Sequence, residues 1–138
     1  MIYSKVTKEM IKPGHTLTVI GKHGTGRWFF TRQAIVELGL VPYECEVLTS
    51  SHLDFLGLSN TDENMVWNMK DYSITSFKNF AKSIPGNGVL VVQNIERMQP
   101  MFVASILEQM FNPDRSMVLI GSDFDYMSIL LRSTVVKL

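Results

Sequence analysis

Apolar positions along this chain fall into short unbroken runs that alternate with stretches of helical spacing. Thr16-Leu-Thr-Val-Ile20 is a β-rich run that predicts a buried strand, and Gly21-Lys-His-Gly-Thr-Gly26 after it, with three glycines in six residues, predicts a loop. Arg27 to Leu38 then reads as a helix that Gly39 stops, with Pro42 beyond. Glu44 to Leu48 predicts a second strand. Residues 49–72 are rich in Ser, Asn and Asp and predict a long loop with short turns. Ser73 is placed as a helix N-cap ahead of Ile74, Phe77, Phe80, Ala81 and Ile84 at helical spacing, and Pro85-Gly-Asn-Gly88 breaks that helix.

Val89-Leu-Val-Val92 lacks alternation, the pattern of a central parallel strand buried on both faces. Pro100 to Phe111 predicts a helix with proline near its start, ended by Asn112-Pro-Asp114. Met117-Val-Leu-Ile120 predicts a strand, Tyr126 to Leu131 a short helix, and Val135 to Leu138 a last strand. Strands alternating with helices give an α/β fold: a three-layer sandwich with a mostly parallel, five-stranded sheet in one domain spanning 1–138.

Composition narrows the function classes. With 46% hydrophobic residues and no apolar run near the roughly 20 that a bilayer span needs, the chain is expected to be a soluble, cytoplasmic globule. Met1 to Met10 lacks the apolar stretch of a signal peptide. One cysteine, Cys45, rules out an internal disulfide framework and a cysteine-based zinc site. Zero formal charge argues against a generally basic nucleic-acid binder. The charge is uneven, however. Residues 1–35 carry Lys5, Lys8, Lys12, Lys22, Arg27 and Arg32 against Glu9, whereas residues 36–69 carry six acidic residues, among them Glu44 and Glu46, and no Lys or Arg. Such an imbalance steers an anion to the first third or is a plain solvated surface.

A strand, Gly21-x-x-x-x-Gly26 and a helix form the frame of a phosphate-binding loop, in which glycines let backbone N–H groups converge on phosphate oxygens. The candidate phosphate-binding residues are Gly21, Gly24, Thr25, Gly26 and Arg27. The motif normally continues Lys-[Ser/Thr], and this chain has Arg27-Trp28 there. Arginine keeps the charge on a larger planar donor, and tryptophan offers no oxygen to magnesium. The same spacing also suits a turn that merely joins strand to helix.

Val89-Leu-Val-Val-Gln-Asn-Ile-Glu-Arg-Met98 resembles the Walker B strand of the AAA+ clamp-loader ATPases, whose hydrophobic run ends in Asp-Glu-Ala-Asp-Arg-Met. Ala104, Leu107, Glu108 and Asn112-Pro113 resemble the helix that follows in that family. Ser116 to Ser122 is similar to its sensor-1 strand, and Leu131-Arg-Ser-Thr134 falls at its arginine-finger motif. The matches run in the family's order through most of the chain, and the DNA polymerase III delta-prime type, with its degenerate nucleotide site, is the nearest in character.

The resemblance implies a RecA-like P-loop core without the helical lid or the collar. It places the two Walker B carboxylates at Gln93 and Asn94, so the metal-supporting and water-activating acids are replaced by neutral amides. It implies a non-catalytic subunit that acts in DNA replication through protein contacts and requires no cofactor, with ATP or ADP bound weakly if at all. The partners implied are clamp-loader subunits, the sliding clamp or the polymerase. DNA is reached only indirectly, and the isolated chain is a monomer or weak oligomer. Arg97, Arg132 and Ser133 are the interface candidates, with Thr134 at the finger position itself. So minimal a form suits a phage or mobile element. Two alternatives stand beside this one: a weak or regulated P-loop ATPase of the helicase-loader kind, and a phage-type regulator that mimics a loader subunit.

Other residues carry less. His15, His23 and His52 are too scattered for a metal site, and no Ser-His-Asp or Cys-His arrangement is legible. Trp28, Phe29 and Phe30 cannot share one helix face, so most of them are expected to pack inward. The nine methionines are better explained by core filling than by a functional surface.

Overall fold

The computed structural model describes residues 6–22, 24–47, 66–68, 74–98 and 102–138. The strands among the described residues are β1 (Thr16–Ile20), β2 (Val41–Glu46), β3 (Val66–Asn68), β4 (Gly88–Gln93), β5 (Ser116–Gly121) and β6 (Thr134–Lys137). The α-helices among the described residues are α1 (Arg27–Glu37), α2 (Ile74–Lys82), α3 (Val103–Met110) and α4 (Met127–Leu130). The strands form one sheet in the order β3-β2-β4-β5-β1-β6, and every pairing is parallel.

Both faces of the sheet are covered, which parallel strands require because their crossover helices lie on the faces. Val89 and Val91 of β4 face a core with Leu17, Val19, Val118 and Ile120, closed by Ala34 and Ile35 of α1 and by Val6 and Ile11. Leu90 and Val92 face the opposite way into a core with Phe77, Phe80 and Ala81 of α2, Ile106 of α3 and Ile129 of α4. The architecture is therefore three layers, with α1 on one side and α2, α3 and α4 on the other. This arrangement is consistent with a RecA-like layout.

Two expectations need correction. Among the described residues the sheet has six strands where five were expected, because β3 falls in the stretch read as a long loop. Val66 to Asn68 pair with Glu44 to Glu46 in parallel, and three residues are too short to show periodicity in sequence. The second strand begins at Val41, not Glu44, and so contains Pro42. A proline is tolerated there for a geometric reason. Val41 N–H donates to Asn87 O at 3.0 Å, toward β4, so alternation points the position of Pro42's missing N–H toward β3. Among the described residues pairing with β3 starts at Glu44, so none of their ladder bonds is lost at Pro42. The Ser73 N-cap lies outside the described residues. Among the described residues, no helix is long and apolar enough to cross a membrane.

The order of the strands sets the site. β5 lies between β1 and β4, and all three run the same way. The glycine loop after β1, the Gln93-Asn94 end of β4 and the Gly121-Ser122 end of β5 therefore meet at one edge. Ligands of open parallel sheets bind at such carboxyl ends.

Candidate functional site

The loop after β1 is tightly folded. Thr25 N–H and Thr25 Oγ1 both donate to Lys22 O, at 3.2 and 2.7 Å. A Cβ on Gly21 would stand 2.6 Å from Thr25 Oγ1, so only glycine lets the loop pass this close. Gly26 caps α1 in the left-handed region at φ 80°, and a Cβ there would meet the Phe30 ring at 2.8 Å. Gly24 and Thr25 are exposed.

Arg27, the first residue of α1, turns inward from this loop and is 6% exposed. Its Nη1 donates to Gly21 O at 2.7 Å and to Ser122 Oγ at 3.2 Å, and its Nη2 donates to Asn94 Oδ1 at 3.0 Å. One guanidinium thus ties together the ends of β1, β4 and β5. Its nearest carboxylate oxygen is Glu96 Oε1, at 4.0 Å. The ligands of the cation are otherwise a carbonyl, a hydroxyl and a carboxamide.

Asn94 is suited to its part. It sits in the left-handed region at φ 61°, ψ 42°, where asparagine is among the few side-chain-bearing residues that settle readily. That backbone turn starts a 3₁₀ turn over Ile95–Arg97 and sets the carboxamide between two elements. Oδ1 accepts from Arg27, and Nδ2 donates to Glu46 Oε1 at 2.8 Å. Glu96 in the same turn accepts from Ser122 N–H at 2.8 Å and lies 3.8 Å from Arg97 Nε. A Cβ on Gly121 would press on Glu96 Oε1 at 2.8 Å, so glycine at the end of β5 lets this carboxylate in.

The candidates from sequence therefore separate. Gly21, Arg27, Asn94 and Ser122, the end of the strand expected to match sensor 1, come together. Gln93 goes elsewhere: its Nε2 donates to Glu44 Oε1 at 2.8 Å, and Glu44 is buried. Arg97 is half-buried against Glu96. Arg132 is exposed and its Nη1 bonds Ser128 O, one helical turn back. Ser133 is half-buried; it accepts from Thr18 Oγ1 at 2.8 Å and donates weakly to Leu130 O at 3.4 Å. It thereby ties β1 to the end of α4. Trp28 and Phe30 pack against the α1-side core, whereas Phe29 is 66% exposed. His15 is exposed, and His23 and His52 lie outside the described residues. Among the described residues, no group of three metal-ligating side chains is present.

Glu46 and Glu96 are the site residues that sequence reasoning missed. Glu46 had one available signal: Glu44 and Glu46, two apart on a strand, share a face, and the neighbouring strand ends in two amides that can donate to them. The bonds of the cluster join the ends of β1, β2, β4 and β5 to the start of α1. The end of β4 carries amides, which cannot take a proton from water, and the positive charge is already engaged by three protein oxygens. No protein-family model matches this chain, and no curated protein matches it.

Proposed function

We propose that this chain is a non-catalytic, P-loop-derived domain of the clamp-loader type, working in DNA replication through protein contacts. The observation that carries the reading is the buried guanidinium of Arg27 between Gly21, Asn94 and Ser122. In a working P-loop enzyme, phosphoryl transfer depends on a cation and metal poised for phosphate. Here the candidate cation serves as an internal cross-link, and the Walker B positions hold amides.

Magnitudes support weak nucleotide binding. Hydrogen bonds to a charged group contribute about 1.5–3 kcal/mol each, and Arg27 makes three. A ligand of micromolar affinity gains about 8 kcal/mol in total. Recruiting Arg27 to phosphate would therefore consume a large part of what a nucleotide could offer. Protein contacts have candidate ground in the exposed Met127, Leu131 and Val135, which lie in the same segment as the exposed Arg132.

Calorimetric titration with ATP and ADP, with and without magnesium, together with steady-state phosphate release, tests the reading. The expected result is no turnover and no magnesium-dependent binding. Magnesium-dependent binding with phosphate release that Arg27→Ala abolishes would favour a P-loop ATPase instead. Co-purification from the native cell tests the replication assignment, with clamp-loader or clamp proteins as the expected partners.

A further inference from the structure

Arg115 stands at the end of the sheet opposite the glycine loop, immediately before β5. It is 8% exposed. Nη1 donates to Ala81 O at 2.9 Å, in the last turn of α2, and Nη2 donates to Gln109 Oε1 at 2.8 Å, in the last turn of α3. The Nε–H has no partner. A guanidinium carries five N–H donors, so donor capacity remains. Among the described residues, no carboxylate oxygen lies within 4.0 Å of it. The carbonyl end of α2 supplies about half a negative charge, which offsets part of the cation and leaves the rest uncompensated. Burial lowers the pKa of Arg115 from the ordinary arginine value, as expected for a cation short of a counter-charge.

Beside this side chain opens a cavity of about 280 Å³, lined in part by Lys82, Gln109, Asn112, Asp114 and Arg115. Asn112 Oδ1 accepts from Asp114 N–H at 2.9 Å, which leaves the Asn112 amide NH₂ as a donor. Two cations thus face one carboxylate, Asp114, which is exposed. The volume is near the lower bound of small-ligand pockets, about 300 Å³, so it admits an oxyanion carried on a few further heavy atoms.

We propose that this cavity binds a small organic oxyanion, a phosphomonoester or a carboxylate, with Arg115 and Lys82 as its counter-charges. The site shares no residue with the Arg27 cluster, so it stands or falls independently of the replication reading. The probes are glycerol phosphate and propionate, each titrated into the full chain against sodium chloride at equal ionic strength. The Arg115 Nε–H proton resonance is followed by NMR. A saturable shift with either probe and none with chloride is expected, and which probe saturates at lower concentration identifies the oxyanion. No shift with either probe, or an equal shift with chloride, overturns the proposal. Arg115→Met should abolish saturable binding measured by calorimetry. Should that variant not fold, Lys82→Ala decides, since Lys82 is exposed. It should weaken binding by about two- to fivefold, the scale of one solvent-screened charge. Unchanged affinity in folded Lys82→Ala overturns the two-cation site.

Discussion

Arg27 Nη2 donates to Asn94 Oδ1 at 3.0 Å, a buried bond between residues 67 positions apart. It joins the start of the helix after the glycine loop to the end of the central strand. Asn94 hands the interaction on to Glu46, and Ser122 and Gly21 complete the cluster. Asn94 is thus a structural link between β2, β4 and the start of α1.

Removing that cation should destabilise the fold. Arg27→Met leaves Gly21 O, Asn94 Oδ1 and Ser122 Oγ without their donor, and breaking one side of a buried charged network costs about 3–5 kcal/mol. Arg27→Lys keeps a charge but cannot span three acceptors with one planar fork, so it should lose about 1–2 kcal/mol. Urea midpoints with unchanged m-values check both. Equal stability of Arg27→Met and wild type would show that the cluster is not structural.

Asn94 separates backbone strain from side-chain bonding. Asn94→Gly loses two side-chain hydrogen bonds but relieves the left-handed backbone, whereas Asn94→Ala loses the bonds and keeps the strain. Alanine should therefore be the less stable variant by about 1–2 kcal/mol. Thermal unfolding of the pair gives the difference directly.

Among the glycines, Gly26 and Gly86 make a contrasting pair. A methyl group at Gly26 meets Phe30 at 2.8 Å in a φ 80° backbone, and Gly26→Ala should cost about 1–3 kcal/mol. At Gly86 a Cβ has open space and an ordinary φ, so Gly86→Ala should be neutral or slightly stabilising, by about 0.4–1 kcal/mol. Denaturant melts of both variants check the loop geometry.

Cys45 should report global unfolding. It is fully buried, and burial first, with Glu46 second, raises its thiol pKa well above the usual value. The thiolate is the reactive form, so native protein should resist a thiol reagent from neutral to mildly alkaline pH. Labelling should follow the unfolding equilibrium and accelerate in urea. Rapid stoichiometric labelling without denaturant would contradict the packing around β2.

Arg132 tests the contact surface. Among the described residues its exposed guanidinium bonds the carbonyl of Ser128 alone, so Arg132→Ala should change stability by less than about 0.5 kcal/mol. On the proposed function, the pure protein sediments as a monomer or weak oligomer, and Arg132→Ala weakens a replication-protein complex while remaining folded. A tight homo-oligomer at all concentrations would count against the first expectation, and unchanged partner binding against the second.

The sequence by itself determined the local elements. The unbroken apolar run at Val89–Val92 has the signature of a strand buried on both faces, and its two faces contact separate cores, while Leu17 and Val19 of the Thr16–Ile20 run join one of them. The glycines around Arg27 mark a loop because their φ values and close approaches are local constraints. Only the tertiary structure decided where the charged and amide groups went. Gln93 and Asn94 are adjacent and chemically alike, yet one bonds Glu44 and the other Arg27 and Glu46. Successive strand residues point to opposite faces, and a left-handed turn at Asn94 redirects the second. Whether Arg27 points toward solvent or into the sheet edge depends, beyond the nearby Gly21 O, on two acceptors, Asn94 and Ser122, brought from the ends of strands distant in sequence, which periodicity does not encode. The short β3 and the tolerance of Pro42 likewise rest on register between strands, a non-local property.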